Sequence, residues 1–389
     1  MRDWQILNLL NRVGIRPHVL YFGAGETYRL DPESPVHGLA GSVTFGGHRA
    51  ENPSSGMLGA GLRKMGYLLK PNPRTFPYSY QYDEIQAGKI IREAAQRTHA
   101  DVVILRNMWS HYAGDLRPLG CKIVVNCPDL NTALARQLIR SVRGPIKKAG
   151  PVCNYVAVRR QERRFLPKCD EIWVPTASED SELSGFAHRV KRLVLPNLVD
   201  VSSIPNLSAR PCESRSCLMF VANFAYLPNA NGARRLLEQI IPRLRRRRAD
   251  VELLLVGAGL SSDLKAMAAK LGGVHVTGFV ESLDKYYERA AIALLPVREG
   301  AGMLFKALEA LSMGKPAVGY RESFRGIPAG NARAFISVGS DDEMVQSILD
   351  LLDDPSAMQA LAVRARAHAE SHLSWEFGTK VLEGSHVLF

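Results

Sequence analysis

Leu295-Pro-Val-Arg-Glu-Gly-Ala-Gly-Met-Leu-Phe-Lys-Ala-Leu-Glu-Ala-Leu-Ser-Met-Gly-Lys-Pro-Ala-Val-Gly319 is the most informative stretch of this 389-residue chain. It reads as a buried strand, a glycine-rich turn, an amphipathic helix and a Gly-Lys-Pro entry into the next strand. That order predicts a phosphate cradle. Gly300 and Gly302 let the backbone approach a ligand closely. A helix beginning near Met303 and Leu304 aims unpaired amides and its dipole at an anion. Lys306 adds positive charge in the first turns. Glu309 cannot hold phosphate, but its carboxylate can accept two vicinal ribose hydroxyls, so the expected ligand is a nucleoside diphosphate.

The same alternation of apolar run and amphipathic stretch extends in both directions, which is how a parallel sheet covered by helices is written in sequence. Strands are expected at 217–221, 251–256, 274–277, 291–296 and 316–320, and in the first half at 17–22, 101–105, 122–126, 171–175 and 193–196. Helices are expected around 84–95, 154–165 and 178–186. The last stretch, 341–383, is helical by period, with Asp353-Asp354-Pro355 marking a turn and a new helix start. The pattern restarts after a polar, proline-containing segment near 206–216, so the class is α/β with one domain over 1–205 and a second over 206–389. The length agrees, since one domain usually spans about 100 to 200 residues. A site is expected in the cleft at the C-terminal ends of the strands. Residues 23–80 have weak periodicity and read as a long loop, a lid or an irregular insertion.

With 46% hydrophobic and 23% charged residues the chain is an ordinary globular one, not a disordered or fibrous one. No run approaches the roughly 18 apolar residues of a membrane span, and no signal peptide is read at the start, so a cytoplasmic protein is expected. Cys121, Cys127, Cys153, Cys169, Cys212 and Cys217 form no metal-ligand spacing and are expected to be reduced thiols; no metal site is expected. The net charge of +12 is concentrated. Ten basic residues from Arg136 to Lys168 face one acid, Glu162. This segment fits either a peripheral contact with an anionic membrane, at the inner face of the plasma membrane, or a solvated basic surface. Nucleic acid is not expected, because the segment lacks aromatic interleaving. The second run, 243–248, reads as a charged helix C-terminus stabilised by the helix dipole.

The second half resembles the nucleotide-binding domain of the family 4 glycosyltransferases of GT-B fold. The likeness rests on Phe220-Val-Ala-Asn-Phe-Ala-Tyr-Leu-Pro-Asn229, Leu255-Val-Gly-Ala-Gly259, Gly278-Phe-Val280, Tyr286-Tyr-Glu-Arg-Ala290, the 295–319 stretch with its Arg-x-Gly-x-Gly and Lys-x-x-Glu-Ala pattern, and Ser374-Trp375. In the first half the match is thinner: Glu162, Asp170-Glu-Ile-Trp-Val-Pro-Thr-Ala-Ser178 and Leu195-Pro-Asn-Leu-Val-Asp200. The resemblance implies two Rossmann-like domains facing a cleft, with the donor bound by the second and the acceptor by the first. The implied reaction is retaining transfer of a hexose from a nucleotide diphosphate sugar, needing no metal or cofactor, to a cell-surface polysaccharide or a glycolipid.

Under that resemblance the leaving diphosphate is stabilised by Arg298, Lys306 and the helix N-terminus, and Glu309 holds the ribose. Glu299 aligns loosely with the family's first carboxylate, Asn223 and Gly257 sit at strand ends, and Phe279 and Val280 stand where the family seats the base. Asp129, after the 122–126 strand, either orients or deprotonates an acceptor hydroxyl or caps the helix before Thr132. His111 stands where the family places polar acceptor residues, with a surface histidine as the alternative. Two departures stand out: a first strand with its glycine turn is not found before the helical Trp4–Leu10, and Asn223 and Pro228-Asn229 replace the usual Arg and Lys. Competing readings are a silent nucleotide-sugar-binding subunit and a GT-B sugar-nucleotide 2-epimerase. A dehydrogenase is disfavoured, because no Gly-x-Gly-x-x-Gly opens a βαβ unit.

Overall fold

Strand Cys217–Val221 (β7) shows why this sequence builds a sheet covered on both faces. Leu218 and Phe220 pack into one apolar cluster with Leu236, Ile240 and Ile348, while Cys217 and Met219 pack into another with Ala307, Leu311 and Ala369. The two-residue period of a strand sends alternate side chains to opposite faces, and both faces here meet helices. Glu252–Val256 (β8) and Ile292–Leu295 (β10) divide their side chains in the same way.

The computed structural model describes residues 2–21, 38–45, 84–142, 144–209, 216–299, 303–328, 330 and 333–389. The chain forms two compact units, Met1–Leu195 with Thr379–Phe389, and Pro196–Gly378. The division comes earlier than the expected 205/206 boundary, and the C-terminal residues belong to the first unit. Glu171 accounts for part of that return. Its buried carboxylate accepts the Trp173 indole N–H at 2.6 Å and the His386 amide at 2.9 Å.

In the second unit β7, β8, Val274–Gly278 (β9), β10, Ala317–Tyr320 (β11) and Ile336–Val338 (β12) form one parallel sheet in the order β12-β11-β10-β7-β8-β9. Helices Leu227–Arg235, Ser262–Leu271 and Asp341–Asp353 carry side chains of the first cluster, and Phe305–Ser312 and Pro355–His372 carry side chains of the second. Asp354 caps Pro355–His372, accepting from the Ser356 and Ala357 amides at 3.0 and 2.9 Å, as the turn signal predicts. The 243–248 arginines do more than end a helix. Arg245 donates to the carbonyls of Val251, Leu271, Gly272 and Gly273, Arg243 pairs with Asp342, and Arg248 pairs with Asp250 and Asp353.

The first unit holds Val102–Arg106 (β3), Lys122–Asn126 (β4), Glu171–Val174 (β5) and Lys191–Val194 (β6), parallel and in that order, and a separate parallel pair, His18–Tyr21 (β1) and Ser42–Phe45 (β2). Strand β6 starts at Lys191, earlier than expected, because an edge strand tolerates Lys191 and Arg192 on it. The helix Pro145–Phe165 starts well before residue 154 and runs through Pro151. Strands β2 and β12 were not anticipated, because strands this short leave little periodicity to read, and the helix at Thr132 spans Asn131–Ser141. Most of 23–80 lies outside the described residues. Cys121, Cys127, Cys153, Cys169 and Cys217 are not joined in disulfides, Cys212 lying outside the described residues. No helix among the described residues is long and apolar enough to cross a membrane.

Candidate functional site

The strand order of the second unit reverses between β7 and β10, and a crevice opens at the carboxyl ends of such strands, where the chain departs to opposite faces. The loops after β7, β8 and β9 meet there backbone to backbone. Gly257 has φ +131°, and a Cβ on it would stand 2.0 Å from the Ala222 carbonyl oxygen; its amide donates to Gly278 O at 3.1 Å. No other residue fits. Asn223 is exposed, its Oδ1 accepting from the Ala225 amide at 3.1 Å and its carbonyl accepting from Asn229 Nδ2 at 2.7 Å. Phe279, at the end of β9, is 78% exposed, and Val280 beside it is half-buried. An aromatic ring left in solvent at a strand end is an unused stacking surface.

Across the reversal, helix Phe305–Ser312 begins two residues later than expected, with extended Leu304 at its N-cap. Met303 is buried in the core, so its side chain packs and does not face a ligand. Lys306 donates to Asn229 Oδ1 at 2.5 Å, and its ammonium lies 4.8 Å from the centre of the Phe220 ring. Burial pulls the Lys306 pKa down to about 8, against the raising field of Glu309. Burial likewise pushes the Glu309 carboxyl above its usual range, with Lys306 pulling it back. Among the described residues the Glu309 carboxylate has no hydrogen-bond partner. Gly300 and Gly302 lie outside the described residues.

Arg298 and Glu299 do not join this pair. Arg298 donates to Asp341 Oδ1 at 3.2 Å and to Gly339 O at 3.3 Å, and lies 4.1 Å over the Tyr320 ring. Asp341 also takes Arg235 and the Tyr320 hydroxyl. A cation expected to meet phosphate is thus already paired, a partnership sequence spacing does not reveal because the two residues are far apart in the chain. Glu299 is exposed.

In the first unit the acids near the ends of β4 and β5 are mostly occupied. Glu162 accepts from the Asn131 amide at 2.7 Å, the Thr132 amide at 3.3 Å, the Thr132 hydroxyl, and Asn107 Nδ2 at 3.0 Å. Glu179 accepts from the Leu130 amide at 3.2 Å and the Thr176 hydroxyl at 3.0 Å, and burial pushes its pKa up to about 7. Glu162, not Asp129, therefore caps helix Asn131–Ser141. A lone acid inside a run of bases was the available signal. Asp129 Oδ1 is buried without a hydrogen-bond partner among the described residues, and burial raises its pKa to about 6 against the pull of Arg2 and Arg106. His111 is buried, not a surface residue, against the rings of Tyr112 at 4.0 Å, Phe165 and Trp109. On helix Pro145–Phe165 the residues Val152, Val156, Arg159, Arg160 and Arg163 are exposed at helical spacing.

Part of the second unit matches a known sequence family. Residues 215–354 match the family described as glycosyl transferases group 1. The match to this glycosyltransferase family takes in Asn223, Asn229, Lys306 and Glu309. A GDP-mannose-dependent monoacylated alpha-(1-6)-phosphatidylinositol monomannoside mannosyltransferase of Corynebacterium glutamicum is 31% identical over 153 residues, 36% of this chain and 40% of that protein. A glycogen synthase of Mycobacterium tuberculosis is 30% identical over 230 residues, 56% of this chain and 54% of that protein. The chain thus spans about half or less of the length of these relatives. Among solved structures, sucrose-phosphate synthase from Thermosynechococcus elongatus aligns with a TM-score of 0.66 at 13% identity, over 97% of this chain and 90% of that one. Anabaena HepE in complex with UDP aligns with a TM-score of 0.63 at 13% identity, over 98% and 94%. These likenesses show the fold, which is GT-B.

Proposed function

We propose that this protein is a glycosyltransferase that binds a nucleoside diphosphate sugar in its second unit and passes the sugar to a saccharide or lipid-linked acceptor taken by the first. The observation that carries the reading is the Lys306 and Glu309 pair, an ammonium and a partner-free carboxylate set at the reversal of strand order inside the family match. Glu309 accepts the ribose hydroxyls. Lys306 and the amide end of helix Phe305–Ser312 take the diphosphate, and Phe279 with Val280 takes the base. The mannosyltransferase and glycogen synthase relatives lend support, since both are named for sugar transfer or polymer building.

Transfer is retaining and needs no metal. The acceptor oxygen attacks the anomeric carbon on the face the diphosphate leaves, the sugar–phosphate C–O bond breaks, and the acceptor proton passes to the departing phosphate oxygen. Lys306 stabilises the charge that develops there. Asp129, with its partner-free oxygen, orients the acceptor hydroxyl. The acceptor is a cell-surface polysaccharide or glycolipid, and helix Pro145–Phe165 rests on an anionic membrane face through Arg159, Arg160 and Arg163, with Val152 and Val156 on the same stripe.

A thermal-shift panel of UDP-, GDP- and ADP-sugars tests the donor, because a ligand that binds the folded state raises the melting temperature by mass action. Nucleotide release with an acceptor mixture tests transfer, NMR of the product anomer tests retention, and unchanged turnover in chelator tests metal independence. Binding of a donor without turnover on any acceptor supports the silent-subunit alternative, and absence of all donor binding rejects the proposal. Vesicle binding that does not fall with salt rejects the membrane contact.

A further inference from the structure

We propose that Asn229 is a positioning residue of the nucleotide site: it holds the Lys306 ammonium through an uncharged acceptor and so leaves the lysine's whole positive charge for the diphosphate. The inference rests on the nucleotide reading above and adds a residue to it. Asn229 stands on helix Leu227–Arg235, which follows β7, while Lys306 stands on the helix that follows β10, so the contact bridges the reversal of strand order. A close approach brings the two within reach. Gly232, three residues after Asn229, would carry its Cβ 3.2 Å from both the ring and the carbonyl of Pro296, so this helix lies directly on the start of the loop leading to Lys306.

The amide of Asn229 is locked in one orientation. Its Nδ2 donates to Asn223 O at 2.7 Å, which leaves Oδ1 for the Lys306 ammonium. The Phe220 ring covers another side of that ammonium and offers only its quadrupole. Among the described residues no carboxylate hydrogen-bonds Lys306; the titratable group acting on it is Glu309, one turn along the same helix, which in turn faces the buried Tyr287. Arg298 and Arg235 supply the contrast, since both are paired with Asp341. A carboxylate at position 229 would cancel the charge on Lys306 and raise its pKa; an apolar residue would withdraw the acceptor and lower it.

The experiment measures UDP, GDP and ADP affinity by calorimetry from pH 6.5 to 9.5 for the parent protein, Asn229→Asp and Asn229→Ala, with thermal melts as a check on folding. In the parent, affinity should decline as pH rises through the Lys306 pKa. Asn229→Asp should weaken binding about tenfold at pH 7, the equivalent of one pKa unit of interaction, and move the decline to higher pH. Asn229→Ala should weaken it less and move the decline to lower pH. Opposite displacements are what a purely structural residue does not produce. The Lys306 titration is also read without ligand, by NMR of 13C-methylated lysines with Lys306→Arg for assignment. Failure of the parent to bind UDP, GDP or ADP defeats the nucleotide reading, whereas a Lys306 titration midpoint unmoved by Asn229→Asp and Asn229→Ala overturns the inference itself.

Discussion

Glu162 in the first unit is a buried helix carboxylate and Glu309 in the second a half-buried one, and their surroundings are opposite. Glu162 accepts from two backbone amides, a hydroxyl and a side-chain amide. Glu309 accepts from nothing among the described residues, and only the field of Lys306 offsets its burial. Desolvating a carboxylate is unfavourable unless hydrogen bonds replace the lost water. The comparison teaches where to look for function: a satisfied buried acid holds the fold, and an unsatisfied one awaits a ligand. Asp129 belongs to the second kind and sits in the unit that otherwise shows the first.

The largest expected effect breaks the structural side of that comparison. Glu162→Ala strands two amides of helix Asn131–Ser141 along with Thr132 and Asn107, and should cost about 3 kcal/mol of stability in denaturant unfolding. Nucleotide affinity in the second unit should be unchanged. Glu309→Ala should do the reverse, weakening nucleotide binding about 30-fold, close to 2 kcal/mol, by calorimetry. Its melting temperature at pH 7 should hold or rise, because a carboxyl whose folded pKa is raised destabilises the folded state once pH exceeds its unfolded value.

A smaller effect concerns pH. Asp129 and Glu179 are raised to about 6 and about 7 in the folded protein, so the folded state binds more protons than the unfolded one between the ordinary carboxylate range and those values. Their contribution to stability is therefore greatest in mild acid and is lost as pH rises toward 7. Asp129→Asn and Glu179→Gln should each flatten the melting temperature against pH over that window; a slope as steep as the parent's would show that neither carboxyl is perturbed. The smallest effect is at Arg298. Because Asp341 already holds it, Arg298→Lys should change nucleotide affinity less than about threefold, and a loss as large as that expected of Glu309→Ala would return Arg298 to the phosphate.

Much of this was readable from residue order. The strand at 217–221 and the one at 122–126 are bounded by polar or turn residues and filled with apolar ones, so their limits coincide with those observed. The spacing of Lys306 and Glu309 places them on one helix, and both stand on helix Phe305–Ser312. Asn229, Glu162 and Asp341 were not legible as partners, since each acts on a residue at least 30 positions away along the chain. The first turns of helix Pro145–Phe165 were not legible, because Pro145 and Pro151 lie in them and a proline often marks a helix boundary.

Composition, period and turn residues determined by themselves that this chain is an α/β protein with parallel sheets, because those features depend on neighbours a few positions apart. Only the tertiary structure decided which charges stay available. Whether Arg298, Lys306, Glu162 or Glu309 keeps its charge for a ligand depends on what the fold brings within hydrogen-bonding distance, and electrostatic and hydrogen-bond energies are set by that distance and by burial, not by separation along the sequence.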